Sequence, residues 1–290
     1  MHLPHIRHNP RVLIYLPPRM YQHVRNSIYL LAVCIGLYSC SGFEKIRKSS
    51  DVNQKLTKAN EYYANKDYVH ANILYKELMP IMKSTRNYEM LFYKYAYTYY
   101  YMKDYAMASY YFKDFVDYFP ASKDAEECEY MSAVCLFKFA PKYSLDQTNG
   151  VKAGEALNNF VVKYPQSKFA AEAQGYVAES QAKMELKQAE AAKLYYNMNQ
   201  FQAAMVTYKS VMRNFPESKR TDEYLFMIMK SMYKYAKASI PSKQEERYAN
   251  ALSAWRSLKD GYPQSPYMAE AEKIYAETET NIKKIHNEQQ

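Results

Sequence analysis

Glycine and histidine are the scarce residues of this 290-residue chain. There are 6 Gly, and Gly36 and Gly42 stand near the amino terminus, which leaves four for everything after them. Loops that cradle phosphate need clustered glycines and rows of tight hairpins need them at the turns, so both are excluded. Of 6 His, four (His2, His5, His8, His23) fall in the first 23 residues, and only His70 and His286 remain. A histidine-based metal site or acid–base relay has almost nothing to work with, and no metal or cofactor is expected. Basic runs of the kind that bind nucleic acid are also missing. Against these shortages stand 33 Tyr and 16 Met, with 48% hydrophobic and 24% charged residues. That balance excludes a disordered chain and fits a helical binding protein packed with aromatic rings.

The stretch from Ile28 to Tyr38 is apolar or small throughout and follows Arg25. It falls short of the roughly 20 residues that span a bilayer and has the form of the apolar region of a secretory signal. It ends at Leu37-Tyr38-Ser39-Cys40, which resembles the lipobox of bacterial lipoproteins, although Tyr38 is larger than the residue usual there. The resemblance implies cleavage before Cys40, whose thiol and new amino terminus are then acylated, palmitate included. A core cysteine or an uncleaved anchor are the competing readings of the same residues. A signal starting at Met20 would have ordinary length, so residues 1–19 read as an over-extended start. Removing residues 1–39 leaves about 251 and takes away four arginines (Arg7, Arg11, Arg19, Arg25), which lowers the net charge from +9 by four to about +5. Acyl chains contribute about 0.8 kcal/mol per buried methylene, so several hold a chain firmly on a membrane. Lys45, Arg47 and Lys48 follow closely, where acidic head groups would meet them. Ser41-Gly42-Phe43-Glu44 lacks the aspartate that lipoprotein sorting rules associate with inner-membrane retention and the acidic run used for surface export. By that resemblance the periplasmic face of the outer membrane is the default.

Cys128 and Cys135 stand seven apart on one helical face, about 10.5 Å between Cα atoms at 1.5 Å per residue. A disulfide tolerates only about 7 Å, so two buried thiols are expected.

Self-comparison gives a repeat. Phe119-Pro120-Ala121-Ser122, Tyr164-Pro165-Gln166-Ser167, Phe215-Pro216-Glu217-Ser218 and Tyr262-Pro263-Gln264-Ser265 share one pattern. Reading back from each proline recovers Tyr105, Ala108, Phe112, Phe115; Ala153, Leu157, Phe160; Phe201, Ala204, Tyr208, Val211; and Tyr248, Ala251, Trp255, Leu258. A further copy, Tyr68, Ala71, Tyr75, Leu78, has its proline three positions early at Pro80. Offsets of three, four and seven share one helix face. The small residue lets a neighbouring helix come close and the aromatic one turn later fills the gap. Proline is expected to end each helix, and the following Ser to cap the next, with Pro266 at the first helical position. A preceding helix repeats as well: Ala59, Ala96 and Ala192 stand nine residues before Tyr68, Tyr105 and Phe201, with Tyr62, Tyr99 and Tyr195 three residues after each alanine. Copies three and five carry inserts around Lys142–Gly150 and Ala238–Glu246.

This combination resembles the tetratricopeptide repeat (TPR), against a non-repeating helical bundle as the alternative. The resemblance implies an all-α superhelical solenoid of about five TPR helix pairs plus a C-terminal capping helix, its concave face lined by the first helix of each pair. Residues 1–39 would be signal, 40–52 a lipidated tether, 53–123 repeats one and two, 124–266 repeats three to five, and 267–290 the capping helix and tail. Projecting the motif places Tyr63 from repeat one with Tyr93, Tyr97, Tyr100 and Tyr101 from repeat two on that face. Tyrosines give large contact area, lose little rotamer freedom and keep a hydroxyl for backbone partners, so the cluster is a candidate groove for an extended peptide. Packing of the core competes for any single one of them. Catalysis finds little support. The adjacent acids Glu126-Glu127 and Glu245-Glu246 point to different helix faces and read as solvated helix starts, and no serine has a plausible histidine partner.

A lipobox followed by five such repeats in about 250 residues, four closed by Phe/Tyr-Pro-x-Ser, resembles the BamD family of outer-membrane lipoproteins. The likeness covers Leu37 to about residue 285. It implies a non-enzymatic scaffold of the β-barrel assembly (BAM) complex at the periplasmic face of the outer membrane. Such a scaffold binds the barrel-forming subunit BamA and other BAM components through its later repeats (124–266), and unfolded outer-membrane β-barrel proteins through its earlier ones (53–123). The alternative is another periplasmic TPR lipoprotein that scaffolds cell-envelope or cell-wall proteins, which often add a coiled coil; no sustained heptad is present here.

Overall fold

The computed structural model describes residues 42–289, so the leader and the acylation candidate Cys40 lie outside the described residues. Helix is the only regular structure among them. Copy one is α1 (Val52–Ala64) with α2 (Tyr68–Met82), and copy two is α3 (Tyr88–Tyr101) with α4 (Tyr105–Tyr118). Copy three is α5 (Ala125–Phe139) with α6 (Thr148–Lys163), and copy four is α7 (Ala170–Asn197) with α8 (Phe201–Asn214). Copy five is α9 (Thr221–Lys237) with α10 (Pro241–Gly261), and α11 (Met268–Gln289) follows as the closing helix. The fold is all-α and of the tetratricopeptide-repeat kind.

The chain divides into two compact units between Met102 and Lys103. In the first unit α2 packs against both α1 and α3; in the second, each helix from α4 onward packs on the next in sequence. The repeat offsets become the core. Ala71, Tyr75 and Leu78, then Ala153, Leu157 and Phe160, then Ala204, Tyr208 and Val211 are all buried. Fully burying one such large side chain contributes about 1.5–3 kcal/mol. Ala59, Ala96 and Ala192 are buried completely, as close helix approach requires.

Local chemistry fixes the turns. Lys66, Lys103 and Asn199 occupy the same position in copies one, two and four, each with φ near +60°. The Asp67 amide closes the turn on the Tyr62 carbonyl at 2.9 Å, and the Gln200 amide does the same on Tyr195. This is the six-residue closure that ends helices with a left-handed residue. Asp67 and Asp104 then cap α2 and α4 by accepting from His70 and Met107 amides.

Four expectations need correction. Pro80 does not end its helix: α2 continues through it to Met82. The serines after the other prolines sit three residues ahead of the helix, where Ser122, Ser167 and Ser218 accept the amide two residues on in a side-chain turn. Pro266 accordingly lies in that turn, and α11 starts at Met268. The insert of copy five mostly lengthens α10, because Pro241 at its first position has the helical φ built in. Copy three keeps a true loop, folded by the Gln147 amide donating to the Lys142 and Leu145 carbonyls.

In copies three to five the serine after the proline also ties its repeat to itself. Ser167 Oγ donates to Glu126 (2.5 Å), Ser218 Oγ to Glu185 (2.5 Å) and Ser265 Oγ to Asp222 (2.8 Å). Glu126 is therefore a structural acceptor, whereas Glu127 faces Lys168 at 4.0 Å. Cys128 and Cys135 are buried free thiols. Burial pushes both up, Cys135 to about 12.

Candidate functional site

The tyrosine cluster forms within the first unit. α3 carries tyrosine at 88, 93, 95, 97, 99, 100 and 101, and its helical period sorts these onto different faces. Tyr88 and Tyr95 turn into the core, where the Tyr95 and Tyr99 hydroxyls share a hydrogen bond of 2.8 Å. Tyr93, Tyr97, Tyr100 and Tyr101 recur at the four- and three-residue spacing of another face.

All five candidate groove residues join one network of ring contacts. Tyr63 meets Tyr101 edge-on at 6.3 Å, and Tyr97 lies 5.7 Å from Tyr101, 4.8 Å from Tyr93 and 6.3 Å from Tyr100. Tyr100 and Tyr101 are 5.6 Å apart. Exposure separates them. Tyr101 is 44% exposed, Tyr63, Tyr93 and Tyr100 are half-buried, and Tyr97 is only 8% exposed. Tyr97 therefore packs as well as lines, and truncating it empties core volume.

Three residues join the cluster that the sequence did not single out for it. Tyr68 stacks on Tyr101 at 4.4 Å with the planes 19° apart, and so continues the aromatic surface onto α2. Lys94 places its ammonium 5.6 Å from the Tyr63 ring centre and donates to Asn60 Oδ1 at 2.8 Å. Asn60 Oδ1 also accepts from the Tyr75 hydroxyl at 2.9 Å. Burial lowers the Lys94 pKa and, through desolvation first, raises that of Tyr75. A lysine alone in a tyrosine run is the one signal in the sequence that marked it. Its ammonium has three N–H groups, of which the bond to Asn60 uses one. The arrangement offers aromatic faces to apolar side chains, hydroxyls to a peptide backbone and a partly desolvated cation to a carboxylate.

A second concavity lies wholly in the later unit. Between α8, α9 and α10 a groove of about 640 Å³ has Leu225, Ile228 and Met232 among its lining, with Lys209 and Arg213 beside them. Among the described residues no helix is long and apolar enough to cross a membrane, and no three His, Cys, Asp or Glu side chains group as metal ligands would.

The family model YfiO, described as an outer membrane lipoprotein, matches residues 48–243. A search of curated proteins found no match. Among solved structures, a TPR-repeat protein from Bacteroides fragilis NCTC 9343 is 15% identical, covering 81% of this chain and 100% of its own, with a TM-score of 0.41. The TPR2AB domain of yeast Sti1, solved as a complex with pHSP90, is 15% identical over 79% of this chain and 99% of its own, with a TM-score of 0.36.

Proposed function

The chain belongs to the YfiO family of outer membrane lipoproteins, and from that premise we propose that it is a non-enzymatic scaffold of the β-barrel assembly complex. Acylated at Cys40, it is held at the periplasmic face of the outer membrane. Its later repeats bind the barrel-forming BamA subunit, and its tyrosine cluster holds unfolded outer-membrane β-barrel proteins. The observation that carries the substrate half is the connected surface of Tyr63, Tyr68, Tyr93, Tyr97, Tyr100 and Tyr101 with Lys94 beside it. An unfolded barrel strand alternates apolar and polar side chains, so rings and hydroxyls side by side suit it better than a purely apolar groove would. The groove between α8, α9 and α10 supports a partner site in residues 124–266, since it has apolar floor residues and a basic rim within the later repeats.

A pull-down through a C-terminal tag from detergent-solubilised envelopes tests the assembly role. It should recover a large outer-membrane barrel protein carrying periplasmic repeats. Recovery of cell-wall enzymes alone would favour a scaffold for envelope construction instead. For the groove, Tyr97→Ala with Tyr100→Ala should weaken crosslinking to a peptide from a barrel's last strand. Because Tyr97 is buried, Tyr101→Ala is the cleaner variant, and unchanged crosslinking in both would refute the site.

A further inference from the structure

We infer that Phe43 is a clip that fixes the acylated end of the chain to repeat one, so that the α1–α2 turn is held against the bilayer and its acidic head groups. The inference rests on the acylation of Cys40 proposed above.

Phe43 begins no regular repeat position, yet it is only 6% exposed. Its ring sits 4.2 Å from that of His70 and 5.8 Å, edge-on, from Tyr62, while Tyr62 and His70 are 5.2 Å apart. The pocket is thus built from the end of α1 and the start of α2. His70 is held in place by Asp67, whose carboxylate meets its Nδ1 at 2.7 Å and caps its amide. Residues 42–47 form a short helical segment in which Phe43 and Ile46, three apart, turn inward. Within that segment Arg47 pairs with Glu44 at 3.3 Å, and it ties the segment to Glu77 of α2 at 3.8 Å, which in turn accepts from Lys55 of α1 at 2.9 Å. The linker onward is fixed too, since Ser49 accepts from the Asp51 amide and bonds Gln54.

Geometry then limits where the lipid can be. Phe43 is three residue steps from Cys40, a span of at most about 11 Å even when fully extended. An anchor that close to a docked ring cannot act as a long tether. It brings repeat one to the membrane surface with the α1–α2 turn nearest. The exposed side chains there suit an anionic leaflet: Lys45 and Lys48 share the outer face of the short segment, Lys66 stands at the turn, and Val69 is an exposed apolar residue beside His70. Asp67, the acid in that turn, is paired with His70.

The test uses the chain from Cys40 onward, coupled through the Cys40 thiol to a maleimide lipid in vesicles of phosphatidylethanolamine and phosphatidylglycerol. Cys128 and Cys135 are buried, so coupling is confined to Cys40. Val69→Trp in a Trp255→Phe background supplies one indole, and a nitroxide-headgroup lipid quenches it if it lies at the surface. We expect strong quenching with Phe43 in place, and its loss both in Phe43→Ala and when a 12-residue Gly-Ser spacer, adding about 17–21 Å of reach, is inserted after Ser41. The spacer form keeps every residue of repeat one, so its result does not depend on how the alanine variant folds. Equal quenching in all three forms, or none in any, would overturn the clip. Chemical coupling makes this readout independent of cellular acylation. The mass of the chain extracted from envelopes reports separately on whether Cys40 is acylated.

Discussion

The two units build one motif with different adhesives. In the first, polar side chains gather around rings: Asn60 joins Tyr75 and Lys94, Asn72 Nδ2 donates to Thr98 at 2.8 Å, and tyrosines meet face to edge. In the second, serines that follow the repeat prolines clasp carboxylates, and Tyr224 adds its hydroxyl to Glu185 at 2.5 Å. Hydrogen bonds to a charged acceptor are short and roughly twice as strong as neutral ones. The apolar offsets are thus common property, while the polar groups differ: carboxylates pin the later repeats to their serines, and in the first unit Asn60 holds Tyr75 and Lys94 together.

Matched substitutions in the two units test that difference. The largest effect should be the one the units share. Leu74→Ala in the first and Leu157→Ala in the second, both wholly buried, should each cost about 2–5 kcal/mol in denaturant unfolding. A large difference between them would mean the motif core is not equivalent in the two. Next, Glu185→Ala should cost about 1–3 kcal/mol, because it strands the hydroxyls of Ser218 and Tyr224. In copy one Met82 stands two residues after Pro80, where the other copies carry serine, so removing the polar centre of the first unit with Asn60→Ala tests whether Tyr75 and Lys94 depend on it as strongly.

Alkaline titration is a subtler comparison. Burial holds the phenols of Tyr75, Tyr208, Tyr224 and Tyr233 above their ordinary value. A raised native pKa means the folded chain keeps protons that the unfolded chain releases near pH 10. Their contribution to stability is therefore complete below about pH 10 and drains away above it. Unfolding followed by far-ultraviolet circular dichroism should show a decline confined to that range, and Tyr208→Phe should reduce its steepness. The smallest effect belongs to the turns. Lys66→Gly should gain about 0.5–1 kcal/mol, since a side chain at φ 62° is strained and glycine is not.

Much of the fold was legible because its determinants are local. A proline, a small residue and an aromatic at fixed offsets specify where a helix ends, which face it buries and how near its neighbour comes. Where a local rule met a competing one, the reading failed: α2 runs through Pro80, and the residues from Pro241 join a helix although they read as a turn insert. The site was legible as a cluster and less so residue by residue. In α3 half the positions are tyrosine, so periodicity alone does not tell that Tyr97 is buried and Tyr101 exposed. Lys94 with Asn60, and the serines with Glu126, Glu185 and Asp222, pair across 33 to 43 residues, and no sequence spacing announces such partners.

On the proposed function, the aromatic surface of the first unit grips unfolded barrel proteins. A photoreactive phenylalanine analogue in place of Tyr101 in living cells addresses it directly, with the same analogue in place of the exposed Tyr262 of the later unit as reference. Crosslinks to newly made outer-membrane β-barrel proteins from position 101, and few from position 262, are predicted. Equal crosslinking at both positions, or adducts at 101 confined to cell-wall enzymes, would contradict it.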